Sequence, residues 1–239
     1  MLAVQDAISP LAQKSQELKA ALIDALRIEN AHLRQGIELD EEFSSYYGDL
    51  LLAVTALRDP RAIPAFADAM GTGALVMNAL AVLGRMLDSN NPGRITDPAG
   101  REQIEDALVN ASRNFGSLVR ITALESLTKS DNPDLRKFAV DGLQSLAERT
   151  NGSAQAAAFH ALRFMAETGN GDSALAQKLA VSSLGVIARR QESPFQQAAV
   201  AALNDVAKNG TGDSREAAVQ ALRDIPWTNR LQRLFERPR

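Results

Sequence analysis

The apolar positions of this chain recur in one helical phrase at a nearly fixed interval. The phrase reads Ala, apolar, any residue, small residue, Leu, with another apolar residue three positions later that is usually followed by Ala. A fixed period of this kind predicts a repeat array. The anchor leucines, which lie 19 to 22 residues apart, are Leu124, Leu143, Leu162, Leu184, Leu203 and Leu222.

Each phrase predicts a helix with one narrow buried stripe. At about 100° per residue, the apolar positions three residues from the anchor and the alanines four residues away lie within about 60° of it. The position two residues before the anchor points away and is expected to face solvent, as at His160.

Turn residues separate the phrases. Glycine tolerates the left-handed conformation after a helix, and Ser or Asp supplies the next N-cap. Two Asn-Gly pairs, Asn151-Gly152 and Asn209-Gly210, are interpreted as such turns. No segment gives a convincing strand signal. The predicted helices span 10–35, 40–58, 61–70, 73–88, 100–114, 117–129, 133–149, 153–168, 173–190, 194–208, 213–224 and 227–236.

This order predicts an all-α, right-handed α-solenoid of stacked antiparallel helical hairpins, because short connections make neighbouring helices antiparallel. We expect a single domain over 1–239, with capping helices in 1–45, repeats in 46–225 and a C-terminal cap or tail in 226–239. Segment 89–100 interrupts the regular spacing of the predicted helices. It is either an insertion with its own role or a plain solvent-exposed connection.

Two phrases resemble the HEAT-repeat family. Residues 57–66 read Leu-Arg-Asp-Pro-Arg-Ala-Ile-Pro-Ala-Phe, similar to the Asp-Pro-x-Ala-Ile-Pro-x-Leu opening of a HEAT first helix. Residues 119–127 are similar to its Val-Arg-x-x-Ala-x-x-Ala-Leu segment, and Arg136 and Arg215 keep an arginine at a comparable place. The resemblance covers about 40–225, and the incomplete arginine ladder marks an irregular member. It implies an ARM/HEAT-like (armadillo-type) superhelix and, for most members, protein binding.

The two ends differ in charge from the repeats between them. A solenoid must present a polar outer face at each end, and this explains both compositions without a ligand. The alternative is that the ends contact a partner or another copy. The residues concerned are Glu38, Asp40, Glu41 and Glu42 at one end, and Trp227, Arg230, Arg233, Arg237 and Arg239 at the other.

Composition narrows the possible partners. The formal net charge is −3, which gives no general attraction to nucleic acid or anionic membranes, and the chain has no cysteine for thiol chemistry. No window reaches the roughly 18 apolar residues of a membrane span. The N-terminus lacks a basic segment followed by an apolar one, which slightly favours the cytoplasm.

No catalytic or metal-binding pattern stands out. The two histidines, His32 and His160, lie on distant predicted helices, and neither has a second histidine one turn away. Glu29 precedes His32 by three residues, a spacing more typical of a surface contact. We therefore expect a protein that is not an enzyme and carries no cofactor or metal.

The second helices of successive hairpins usually line the concave binding surface of such arrays. Here these are 73–88, 117–129, 153–168 and 194–208. Their outward residues are mixed and mostly uncharged, which suits a protein or peptide better than a phosphate backbone. The candidate binding residues are Asn78, Thr122, Glu125, His160, Arg163 and Asn204.

Three functions are compatible with the sequence. The favoured one is a noncatalytic scaffold that binds an unidentified protein or peptide. The alternatives are a nucleic-acid-binding or DNA-repair HEAT-like protein that uses Trp227 and the arginine-rich tail, and a HEAT-like chromophore lyase. The sequence leaves the partner and the oligomeric state open.

Overall fold

The computed structural model describes residues 15–36, 41–57, 59–71, 76–91, 94–168, 174–190 and 193–226. Within these ranges the protein is all-helical, with eleven α-helices, one 3₁₀ turn and no strand. This confirms the all-α prediction. The chain divides into two compact units, residues 1–130 and 131–239, and each is described by itself.

The described part of residues 1–130 contains six α-helices. The 3₁₀ turn Pro60–Ala62 leads directly into the third of them. The helices are α1 (Gln16–Arg34), α2 (Glu41–Ala56), α3 (Ile63–Gly71), α4 (Val76–Leu87), α5 (Pro98–Asn114) and α6 (Ser117–Leu127).

The described part of residues 131–239 contains five α-helices, which follow the predicted boundaries to within three residues at each end. The predicted helix at 227–236 lies outside the described residues. The helices are α7 (Pro133–Arg149), α8 (Gly152–Thr168), α9 (Ala174–Arg189), α10 (Gln196–Asn209) and α11 (Gly212–Arg223).

Within each unit, every helix packs against the helix two places along, and all sequence neighbours except α2 and α3 pack closely against each other. In residues 1–130, α1, α3 and α5 contact one another in succession, and so do α2, α4 and α6. In residues 131–239, α7, α9 and α11 form one such series, and α8 and α10 form the other. Each unit therefore has an odd-numbered and an even-numbered layer of helices, with the apolar core between them.

The anchor leucines form the centre of this core. Five of the six are at most 1% exposed, and Leu222 is partly exposed. The position two residues before the anchor is exposed in five repeats and half-buried at Thr122. The helical-wheel prediction is confirmed on both counts, because a stripe of Leu, Val and Ala leaves only one apolar face to bury.

Short polar side chains begin the helices as expected. The Asp59 carboxylate accepts the Arg61 backbone N–H at 3.0 Å, and Pro60 occupies the first position of the turn. Asp97 and Asn132 accept backbone N–H groups at 2.8 and 3.0 Å, each immediately before a proline. These caps satisfy N–H groups that a helix start leaves unpaired.

The segment before α5 is fastened to the core. Ile95 is 3% exposed, and its backbone N–H donates to the Met86 carbonyl at 2.9 Å. The Arg101 side chain donates to the Ile95 carbonyl at 3.2 Å. The interpretation of this segment as a plain exposed connection is therefore wrong at Ile95, because one apolar side chain anchors it.

A buried polar cluster joins the first three helices. The Tyr47 hydroxyl donates to Asn30 Oδ1 at 2.5 Å, and Asn30 Nδ2 donates to the Ala65 carbonyl at 2.8 Å. Both side chains are fully buried. Because an unpaired buried polar group is costly, these bonds fix how α1, α2 and α3 meet.

Candidate binding faces

The exposed surface of the even-numbered layer in residues 1–130 carries three of the predicted site residues. Asn78 on α4 and Glu125 on α6 are exposed, and Thr122 is half-buried. Leu118, Thr122 and Glu125 follow one another at helical spacing along the outer side of α6. We call the surface formed by Asn78, Leu118, Thr122 and Glu125 the α4–α6 face.

Small residues hold α4 and α6 close together beneath this face. A Cβ atom placed on Gly84 would lie 2.8 Å from Ser126 Cβ, so the glycine permits an approach that alanine would block. Ser126 Oγ donates to the Leu80 carbonyl at 3.3 Å. At the far ends of the two helices, Lys129 Nζ lies 3.4 Å from Asp88 Oδ2. The α4–α6 face is therefore carried by a tightly packed helix pair.

Glu125 is the titratable group on the α4–α6 face whose pKa is shifted. Desolvation by the surrounding protein atoms raises the pKa of its carboxyl, and the positive charge of Lys129 partly opposes this. The residue as a whole is exposed, so a ligand has access to it. The arrangement lowers the cost of removing the remaining water from this carboxyl on binding.

The other three predicted residues lie on the even-numbered layer of residues 131–239. His160 on α8 and Asn204 on α10 are exposed. The Arg163 guanidinium donates to the Glu167 carboxylate at 2.7 Å, and the nearby Asp205 adds a second negative charge; together they raise the pKa of Arg163. The six predicted residues are thus divided three and three between the two units.

Phe164 lies one turn after His160 and is 60% exposed. His160 also packs edge-on against the buried Phe159 ring, with centroids 5.8 Å apart. We call the surface formed by His160, Arg163, Phe164 and Asn204 the α8–α10 face. It combines one large apolar side chain with hydrogen-bonding groups.

Sequence reasoning missed the exposed apolar residues of these faces. The even-numbered helices α2, α4, α6 and α8 each carry one large apolar side chain that is at least 40% exposed. The sequence signal for such residues was an apolar side chain outside the buried stripe. Leu118 lies six residues before the anchor Leu124, and Phe164 lies two residues after the anchor Leu162. These side chains are Tyr46 (46%), Met77 (40%), Leu118 (53%) and Phe164 (60%).

Sequence reasoning also missed a repeated hydrogen bond between consecutive helices. The donor is the side chain of the residue seven positions before an anchor leucine. The acceptor is the backbone carbonyl of the alanine four positions after the previous anchor leucine. We call this bond the helix clamp. It satisfies a carbonyl that the end of a helix leaves unpaired. The clamps are Gln155 to Ala147 at 3.0 Å, Gln177 to Ala166 at 3.0 Å, Gln196 to Ala188 at 3.3 Å and Arg215 to Ala207 at 3.2 Å.

The odd-numbered layer of residues 1–130 has a cleft of about 510 Å³ next to the Asp-Pro turn. The two arginines that line it, Arg27 and Arg61, are paired with carboxylates. Arg61 donates to both Asp59 carboxylate oxygens, which lowers the pKa of Asp59, and Arg27 lies 3.1 Å from Asp24. This pairing makes the cleft a structural network rather than a preferred site for a charged ligand.

His32 Nδ1 lies 3.0 Å from the Glu29 carboxylate, with the histidine side chain 44% exposed, so the predicted contact is present at the surface.

In the described ranges, no group of three or more His, Asp or Glu residues could hold a metal ion. No helix described here is long and apolar enough to cross a membrane. Trp227 and the arginines after it lie outside the described residues.

Comparisons with known proteins leave the family open. No family model matches the chain, and no curated protein matches it. A solved structure of an engineered protein is 18% identical, over 94% of this chain and 89% of the other, with a TM-score of 0.30. A likeness at that level carries no argument for fold or function. The structure itself defines an all-helical protein with helices packed in neighbouring pairs.

Proposed function

We propose that this protein is a noncatalytic HEAT-like α-solenoid scaffold, and that it binds a protein or an extended peptide on the exposed surface of its even-numbered helices. Support for a solenoid comes from the succession of contacts, in which helices meet the helix two places along and, apart from α2 and α3, their sequence neighbours within each unit. Stacked hairpins produce that succession.

The observation that carries the binding proposal is the large exposed apolar residue on α6 and on α8. Each shares a helix surface with the candidate polar residues: Leu118 with Thr122 and Glu125, and Phe164 with His160. Apolar and aromatic anchors surrounded by hydrogen-bonding groups are typical of protein-recognition surfaces. A phosphate backbone would instead require a row of unpaired cations.

Two of the cations near these faces are already engaged in ion pairs. Lys129 lies beside Asp88, and Arg163 is bonded to Glu167. These pairs reduce the positive potential available to a polyanion. They leave apolar contact and neutral hydrogen bonds as the main means of recognition, which favours a polypeptide ligand.

A test uses peptides selected by panning a random display library against the intact, immobilised chain. Their affinities are then measured by fluorescence anisotropy for Leu118→Ala and Phe164→Ala. Truncating an anchor at the centre of an interface typically costs about 1–2 kcal/mol, so we expect about tenfold weaker binding for whichever face is used.

Matched controls are exposed apolar residues on the odd-numbered layer. Ile28 on α1 is 54% exposed, against 53% for Leu118, and Leu175 on α9 is 37% exposed. Ile28→Ala and Leu175→Ala should leave the affinities unchanged. Failure to select any binding peptide, or an equal loss in the control variants, would overturn the proposal.

A further inference from the structure

Two chemically identical Asn-Gly pairs occupy very different environments within residues 131–239. Asn151 and Gly152 are both exposed in the connection between α7 and α8. Gly152 has a φ of +65°, and a Cβ atom placed on it would meet nothing within 4 Å. As the first residue of α8, Gly152 has a backbone N–H without an intrahelical partner, and none of the described residues accepts it.

Asn209-Gly210 is held in place at the end of α10. Asn209 is the last residue of that helix, and the Gly210 N–H donates to the Val206 carbonyl at 2.8 Å. A Cβ atom on Gly210 would collide with that carbonyl and lie 3.1 Å from Val206 Cγ1. The backbone nitrogen of Gly210 is therefore hydrogen-bonded, and the space around its Cα is filled by Val206.

We propose that Asn151 is a site of spontaneous deamidation and isoaspartate formation, and that the fold protects Asn209. In the first step, the deprotonated Gly152 backbone nitrogen attacks Asn151 Cγ. The new N–C bond closes a five-membered succinimide, and the side-chain amide leaves as ammonia. Water then opens the ring at either carbonyl and gives aspartate or isoaspartate. The net change is one water gained and one ammonia lost, with no redox partner.

The difference between the two sites follows from access to the attacking nitrogen. At Asn151 both residues of the pair are exposed, and no hydrogen bond within the described residues holds the Gly152 N–H. At Asn209 the end of α10 must first open to release the Gly210 N–H, and this local opening is an added energetic cost. The flanking residues Ser153 and Thr211 are alike in type, so local sequence gives no comparable difference.

The product would alter the connection between α7 and α8. Isoaspartate adds one carbon to the backbone and a negative charge immediately before α8. The helix clamp from Gln155 to Ala147 spans this same connection. Deamidation at Asn151 is therefore a covalent change that reaches the helix carrying His160 and Phe164, although the inference does not depend on the proposed binding function.

The test is peptide mapping of the intact folded chain during incubation in mildly alkaline buffer. Trypsin separates the two sites, because cleavage after Arg149 and Arg163 releases 150–163 with Asn151 alone. Cleavage after Lys208 and Arg215 releases 209–215 with Asn209 alone. Since Asn209 reacts only after local opening, we expect peptide 150–163 to deamidate at least about tenfold faster.

The same incubation in denaturant provides the control, because both sites should then react at similar rates. Asn151→Gln should abolish the fast reaction, and Asn209→Gln should leave it unchanged. Equal rates in the folded chain, or faster reaction at Asn209, would overturn the proposal. A rate difference that persists in denaturant would also overturn it, since local sequence would then be the cause.

Discussion

At the scale of single residues, the clearest result is that the side chain seven positions before the anchor leucine makes the same hydrogen bond in several repeats. Gln155, Gln177 and Gln196 each reach back to a carbonyl near the end of the preceding helix. Arg215 makes an equivalent bond, so this position requires a long side chain with an N–H donor rather than a charge.

Replacing Gln155 with Ala removes one clamp and leaves the Ala147 carbonyl without its partner. We expect the free energy of unfolding to fall by about 1 kcal/mol, the usual value of a neutral hydrogen bond. Urea denaturation followed by circular dichroism measures the difference. Gln197→Ala is the control, because Gln197 is exposed on α10 and should change stability by less than about 0.5 kcal/mol. Equal effects would show that the clamp contributes nothing specific.

Glu125→Gln is expected to stabilise the protein at neutral pH. The pKa of Glu125 is raised in the folded state, so its ionised carboxylate lowers the free energy of unfolding at any pH above that pKa. Protonation of Glu125 removes this loss as the pH falls. The gain from the variant should therefore be present at neutral pH and disappear below the normal titration range of glutamate. Thermal melts across this range measure it. A gain that does not vary with pH would contradict the assignment to ionisation.

At the scale of helices, close approach depends on small residues at fixed places. Gly84 faces Ser126 between α4 and α6, and a Cβ on Gly185 would lie 3.0 Å from Ala221 Cβ between α9 and α11. Both glycines directly follow an apolar leucine, at Leu83 and Leu184. At these two places a glycine sets the close spacing between alternate helices.

Gly84→Ala is expected to lower the free energy of unfolding by about 1 kcal/mol. Overpacking against Ser126 costs about 1–3 kcal/mol, which exceeds the gain of about 1 kcal/mol from alanine's higher helix propensity. Ser126→Gly removes the opposing Cβ, so the double variant should lose less than the sum of the two single losses, and a double-mutant cycle measures this coupling. Strictly additive effects would show that the two residues do not interact as described.

At the scale of the whole molecule, net charge restricts the classes of ligand that the protein attracts electrostatically. The chain has a formal net charge of −3. Several basic side chains of the described residues lie in ion pairs, including Arg190 with the largely buried Glu148 at 2.9 Å. A negative net charge gives the chain no general electrostatic attraction to a polyanion.

We therefore expect no mobility shift of duplex DNA at low salt, where electrostatic binding is strongest. Arg163→Ala, which removes a cation of the α8–α10 face, should change nothing in this assay. A salt-sensitive complex would instead favour the nucleic-acid hypothesis and direct attention to the arginine-rich residues 230–239.

The positions of the helices and of the core could be read from the sequence, because both follow from local periodicity. The anchor leucines and the solvent-facing position of His160 required only the geometry of a single helix. The burial of Ile95 could not be read in this way, since its partners are a carbonyl on α4 and a side chain on α5.

The candidate faces were predictable in part. Helical spacing placed Asn78, Glu125, His160 and Asn204 on exposed surfaces. It did not show that Leu118 and Phe164 remain exposed beside them, because apolar residues are ordinarily assigned to a core. Whether the hairpins continue as one domain over 1–239 stays a prediction.

The sequence by itself determined the all-helical class, the helix order and the buried stripe, because each depends on residues within a few turns of one another. Only the tertiary structure decided which helices alternate in contact, which carbonyls the clamps reach and which of two identical Asn-Gly pairs has its glycine N–H hydrogen-bonded. The alternating contacts join helices far apart in the chain. The clamps and the Gly210 hydrogen bond join residues close in sequence, but they depend on the backbone path at the helix ends, which the apolar period does not specify.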